Sequence, residues 1–301
     1  MINRHNSYIL PTFGEMNVKQ ISYSDLYKVL IGLFNPKNPT SSRLETIHRI
    51  INDIRGILAP ALRYGYITTD PTYRLHNDFP TVHMFNKKSG VDNRIPALSD
   101  EVSIAEFLTD LRNDNKMELS TRRAVYLQIL TANRPINTVS VKWADIDLEK
   151  GLWKIPSVDM KMREEHIVCL STYAVAVLKE QYMFSKNSQF VFPSVVAKYG
   201  HIHRDALTKA IGNLGHKNKY NGVATAHGFR ATFKTICSLY DDELISLGIT
   251  EKTVEECLAH KETNAIKQSY ERNRSTQEKK SRLMQWYGDH LNSLSELGIA
   301  L

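Results

Sequence analysis

Cysteine is scarce in this 301-residue chain, and the little there is shows no pattern. Cys169, Cys237 and Cys257 stand far apart, odd in number and without a CxxC pair, which argues against a disulfide framework or a zinc site and fits a reducing cytosol. Long apolar runs are missing as well. No stretch approaches the roughly 18 consecutive apolar residues of a membrane span, and the opening MINRHNSYILPTFGEM has no apolar signal core, so a soluble, intracellular protein without a membrane partner is expected. HExxH, the P-loop spacing and an acidic cluster suited to catalytic magnesium are all absent, as are internal repeats and low-complexity tracts.

What is present is enough apolar material for two cores, at 42% hydrophobic residues, and a modest net charge of +7. The charge is uneven. Residues 1–95 carry 12 Lys/Arg against 7 Asp/Glu, a net of +5, which leaves +2 for the rest. A basic excess of this size suits a polyanion without requiring one.

Helical spacing opens the chain. Residues 22–34 begin on Ser/Asp and repeat apolar residues at helical steps, and after the break NPKNPTSS the run 41–67 reads as one long helix. Leu44, Ile47, Ile51, Ile54, Leu58 and Leu62 form its core stripe. Arg43, Arg49 and Arg55 stand on its other faces, either as a solvated surface or, with the helix along a groove, as contacts to phosphates. The polar stretch around Lys87 and Lys88, residues 86–96, reads as a linker between units 1–85 and 97–301.

In the second unit, helical patterns near 100–114 and 120–132 precede three short alternating runs between residues 141 and 171, broken at Lys150-Gly151 and at 161–165. These predict a small antiparallel sheet. Helical patterns then continue to the end, where Leu283, Trp286, Tyr287, Leu291 and Leu294 recur at helical steps, either packing on their own unit or on a second copy. The fold class expected is mainly α with one small antiparallel sheet.

Five segments of that unit carry residues suited to chemistry: TANRP with Arg134, MKMREEH with Lys161, AHGFRATF with His227 and Arg230, LAH with His260, and IKQSYERN with Tyr270. Each alone is a weak signal. Their order, Arg, Lys, His-x-x-Arg, His, Tyr, resembles the tyrosine recombinases, in particular phage and genomic-island integrases. Residues 1–80 also resemble that family's helical core-binding domain, with YILPTFGEMNVKQIS leading in and RYGYITTDPTYRL closing the long helix.

The resemblance implies a bacterial, cytoplasmic, nucleoid-associated enzyme of prophages or other mobile elements, which cuts and rejoins double-stranded DNA through a 3′-phosphotyrosine and needs neither metal, cofactor nor ATP. Arg134 and Arg230 would hold the non-bridging oxygens by forked, charge-assisted hydrogen bonds as negative charge builds there. Tyr270 would be the nucleophile. With an ordinary pKa of about 10, only around one phenol in a thousand ionises unaided near neutral pH, and His227 is the candidate base. Lys161 would protonate the leaving 5′ oxygen, with Lys154 and Arg163 close by as competitors, and His260 would contact the phosphate and orient the site. Tyr240 and Tyr287 compete for the role of Tyr270. Four copies on a core-type site, aided by accessory DNA-bending proteins, would form the active assembly.

Two departures from the family pattern stand out. Asn137 occupies a place where an acidic residue is usual, three after Arg134, and can hydrogen-bond but not balance a buried charge. Family members also usually carry an arm-binding domain ahead of the core-binding one, and this chain begins almost directly at the latter. A nicking-closing enzyme of the type IB topoisomerase kind and a DNA-binding integrase remnant are the competing readings.

Overall fold

The computed structural model describes residues 2–38, 41–88, 90, 94–160, 163–260 and 275–299. Lys161 and Tyr270 lie outside the described residues. The chain divides into two compact units, Met1–Arg94 and Ile95–Leu301.

In the first unit, helical turns over Ile2–Arg4, His5–Ile9 and Leu10–Phe13 lead to α1 (Tyr23–Ile31). Ser22 starts α1 as a capping box, its hydroxyl accepting from the Asp25 N–H while the Asp25 carboxylate accepts from the Ser22 N–H. The long helix α2 (Leu44–Arg63) buries Leu44, Ile47, Ile50, Ile51, Ile54, Leu58 and Ala61. They meet Ile9, Phe13, Leu26, Leu30, Leu75, Phe79 and Phe85 in one core. Leu62, counted in the stripe from spacing, is instead 42% exposed. The stripe drifts at 3.6 residues per turn, and Ala61 takes the inward position of the last turn. Helix α3 (Val82–Lys88) extends into the stretch that reads as linker, anchored by buried Phe85.

The second unit is built around a helix with no outer face. In α5 (Leu119–Thr131) every residue from Ala124 to Thr131 is buried, the pattern of a helix surrounded by others. It follows α4 (Glu101–Asn113), which starts on an Asp100 cap, and is followed by α6 (Pro135–Val139). Strands β1 (Ile146–Asp147), β2 (Leu152–Ile155) and β3 (His166–Cys169) form the antiparallel sheet, in the order β1-β2-β3 with Ile155 opposite His166. Around α5 pack α7 (Thr172–Ser185), α8 (Arg204–Asn213), α9 (Phe229–Leu239) and α12 (Gln277–Leu294). Between the last two lie α10 (Asp241–Ser246) and α11 (Glu251–Cys257). Among the described residues the protein is mainly α with one three-stranded sheet, as the alternation of patterns predicts.

The terminal helix packs on its own unit. Leu283, Tyr287 and Leu291 are fully buried against α4, α5, α7, α11 and β3, in the same core as α5. Among the described residues no helix is long and apolar enough to cross a membrane.

Candidate active site

The end of α11 organises the site. Its last turn closes as a Schellman motif: the His260 N–H donates to the Glu255 carbonyl at 2.9 Å and the Ala259 N–H to the Glu256 carbonyl at 3.0 Å, with Ala259 in the left-handed region at φ 50°. This turn aims three successive carbonyls, those of residues 257, 258 and 259, away from the helix, where they carry the negative end of its dipole.

Cationic and hydrogen-bonding side chains from three other places in the chain converge on those carbonyls. Arg230, on the first turn of α9, donates from Nη2 to the Leu258 carbonyl at 2.6 Å and from Nη1 to the Ala132 carbonyl at 2.9 Å. Arg134 donates from Nη2 to the Ala259 carbonyl at 3.4 Å, and its Nη1 finds no partner among the described residues. The ring of His166, first residue of β3, donates to the Cys257 backbone. Both guanidiniums thus sit side by side on one helix end.

Their proximity has electrostatic consequences. Arg230 is only 6% exposed, and its pKa falls to about 10, first through burial and then through the charge of Arg134; it still stays charged at neutral pH. His166 is pushed down to about 4, mainly by burial, with Lys280, Arg134 and Arg230 adding repulsion. His227, at the mouth of α9, is exposed, yet desolvation and the charges of Arg230, Arg134 and His260 lower its pKa. It is therefore neutral near pH 7, the state a proton acceptor requires.

His260 faces the same group. Its Nε2 lies 2.8 Å from Arg230 Nη2 and its Nδ1 lies 2.6 Å from Glu255 Oε2, whose other oxygen is paired with Lys234. Burial works against the Glu255 carboxylate, but the hydrogen bonds from Lys234 and His260 prevail and hold its pKa below the ordinary value.

A model of the phage integrase family matches residues 100–277, more than half the chain, a span that includes Arg134, His227, Arg230 and His260. The chain belongs to that family. It is 26% identical over 295 residues to the prophage integrase IntA of Escherichia coli strain K12, covering 97% of this chain and 64% of that one. It is 25% identical over 297 residues to the integrase of Enterobacteria phage P4, covering 95% and 62%. It therefore spans somewhat less than two thirds of the length of these relatives. In structure it resembles a lambda integrase tetramer bound to a Holliday junction, at TM-score 0.58, 13% identity and coverage of 89% of this chain and 70% of that one. It likewise resembles the Tn1549 transposon integrase in complex with transposon right-end DNA, at TM-score 0.56, 13% identity and coverage of 95% and 91%.

For this phage integrase family chain, Arg134, His227, Arg230 and His260 come together in space from three segments. The competitors for the nucleophile's place fare badly. Tyr287 is fully buried, which drives its phenol pKa far upward, and the Tyr240 hydroxyl donates to Glu101 at 2.5 Å. Lys154, the alternative to Lys161, is paired with Glu165 at 2.8 Å. Asn137, in the usual acidic place, is buried with its amide 3.4 Å from the Met160 sulfur. Backbone carbonyls and Glu255 meet the arginine charge without it.

The basic residues singled out in the first unit are unequal. Arg49 pairs with Glu45 at 2.5 Å, and Arg55 donates to Thr72 at 3.1 Å and lies 3.7 Å from Asp70. Arg43 donates to the Tyr8 hydroxyl at 2.6 Å. Lys87 and Lys88 are exposed on the last turn of α3.

Three residues of the site escaped the sequence reading. Gln128, fully buried in α5, donates from Nε2 to the Asn133 carbonyl at 2.7 Å and to the Ala226 carbonyl at 2.9 Å, joining the segments that precede Arg134 and His227. Its Oε1 accepts from the Thr138 hydroxyl at 2.6 Å. A glutamine inside the otherwise apolar run Ala124–Leu130 was the available signal. Glu255 and His166 gave none, since an acidic residue on a helix and a histidine at a strand start are ordinary. Among the described residues no cluster of His, Cys, Asp and Glu is placed to hold a metal ion.

Proposed function

We propose that this protein is a site-specific tyrosine recombinase that cuts and rejoins duplex DNA for integration or excision of a mobile element. The observation that carries the reading is the pair of guanidiniums on adjacent carbonyls of one helix end, with two histidines beside them. Such a group is suited to a phosphodiester oxygen pair, because forked donors hold an anion in fixed orientation while a low local dielectric strengthens the interaction.

In this reading the Tyr270 oxygen attacks phosphorus and the P–O5′ bond breaks. His227 takes the phenolic proton, Lys161 gives one to the departing 5′ oxygen, and Arg134, Arg230 and His260 hold the non-bridging oxygens. A 5′ hydroxyl of a partner duplex then attacks the phosphotyrosine and releases Tyr270. Bond energy is conserved throughout, so no nucleotide is consumed. The first unit, with Arg43, Arg49, Arg55, Lys87 and Lys88, grips the core-type site through phosphates, and four copies assemble on two duplexes.

The test is a suicide substrate, a duplex spanning the junction of the mobile element and nicked beside the cleavage position. A covalent adduct that disappears in Tyr270→Phe is expected, together with strand exchange between two duplexes. Binding without an adduct would reduce the protein to a DNA-binding remnant. An adduct with religation but no exchange would make it a nicking-closing enzyme.

A further inference from the structure

We infer that Glu255 is a positioning residue for this reaction: it dictates which nitrogen of His260 carries the ring proton, and lets that imidazole accept a second proton when a phosphate reaches the arginines. The inference rests on the proposal that a phosphodiester occupies this site.

The hydrogen-bond inventory fixes the starting state. A guanidinium only donates, so the 2.8 Å contact from Arg230 Nη2 requires a bare Nε2 on His260. The ring proton is therefore on Nδ1, where Glu255 Oε2 accepts it at 2.6 Å. Glu255 is held in turn. Its second oxygen is paired with Lys234, and its backbone carbonyl accepts the His260 N–H at 2.9 Å, so the carboxylate and the imidazole belong to one cap and move together.

In that state His260 presents a lone pair to the place where a non-bridging oxygen would come, and two lone pairs repel. When phosphate oxygens take the Arg230 Nη2 hydrogen, Nε2 loses its donor and the ring lies between two anions, the phosphate and Glu255. A proton from solvent then settles on Nε2, which donates to the phosphate instead of accepting from Arg230. Among the described residues, the other charged or titratable groups around the ring are Arg230 and Lys234 on α9, Arg134 ahead of α6, His227 ahead of α9, and Glu251, 4.0 Å from Lys234. The three certain cations oppose protonation. Glu255, in direct contact, is the group that tips it. A Lys234–Glu255 ion pair of purely structural purpose would contribute little and would leave the histidine's proton count unchanged.

The experiment compares the full chain with Glu255→Gln, whose side-chain carbonyl can still accept from Nδ1 but carries no charge. Binding of the junction duplex is measured by calorimetry in buffers of different ionisation enthalpy, alongside the pH profile of Tyr270 adduct formation. Expected are up to about half a proton fewer taken up per site by the variant where the two titrations differ most, adduct formation about tenfold slower near pH 8, and an alkaline limb moved down by about one pH unit. His260→Asn should abolish the same uptake, and adding Glu255→Gln to it should change nothing further. Melting curves check that both variants fold, and Glu255→Asp should recover part of the uptake. Equal proton uptake and an unmoved pH profile in a folded Glu255→Gln protein that still forms the adduct would overturn this inference alone. Failure of the wild-type chain to form any adduct would instead overturn the proposed reaction.

Discussion

His166 shows how far burial can change what a residue contributes. Its ring is held neutral by desolvation and by the cations around it, with a pKa near 4 against an ordinary 6.5. A histidine depressed in the folded state stabilises the fold fully above its unfolded pKa and progressively less as pH falls through the window from 6.5 toward 4, because the unfolded chain binds the extra proton first. The gap corresponds to about 3 kcal/mol. Urea unfolding between pH 4 and 7.5 should therefore show stability falling on the acid side, and His166→Gln, which keeps an N–H for the Cys257 carbonyl, should flatten that fall. An unchanged slope would mean that other groups dominate the window. None of this was legible beforehand: the sequence offers a histidine at the start of a strand, and only in the folded chain do burial and the nearby charges of Lys280, Arg134 and Arg230 depress it. Arg134 and Arg230 were legible as individuals, through motif words that surround them, although nothing in those words says that backbone carbonyls hold them.

At the scale of elements, the LAH turn after α11 is the part on which the site depends. Ala259 adopts φ 50°, a region where an L side chain costs roughly 1–2 kcal/mol and glycine costs none. Ala259→Gly should accordingly raise the melting temperature or leave it unchanged, whereas Ala259→Val should lower stability by more than about 1 kcal/mol and, by unwinding the cap, release both guanidiniums. Thermal melts of the two variants check the first point, and the loss of adduct formation in Ala259→Val alone checks the second. Element positions were mostly readable in advance because apolar spacing has a period of 3.6 or 2. The misreadings occurred where burial changed partners within a turn, as at Leu62, or where a single aromatic residue anchored helix in a polar stretch, as Phe85 does in α3.

For the molecule as a whole, the concentration of charge matters more than its sum. The first 95 residues carry +5 of the +7, and in that unit Arg49 and Arg55 are engaged by Glu45 and Asp70 while Lys87 and Lys88 stand exposed at a helix end. If these lysines meet phosphates, Lys87→Ala/Lys88→Ala should reduce the slope of log K against log salt by about 2, with little dependence on DNA sequence. Binding titrations from low to moderate salt measure it, and an unaltered slope would remove both residues from the DNA contact.

Composition and periodicity by themselves determined that the chain has two cores, mostly helices and one small sheet, because local spacing already encodes which face of an element avoids water. The order of Arg, Lys, His-x-x-Arg, His and Tyr determined the family, because those words are short and local. Which carbonyls receive the guanidiniums, which carboxylate controls His260, and the neutral state of His166 were decided only in three dimensions. Those are contacts between residues up to 125 positions apart, as from Arg134 to Ala259, and their energies depend on burial that no local pattern records.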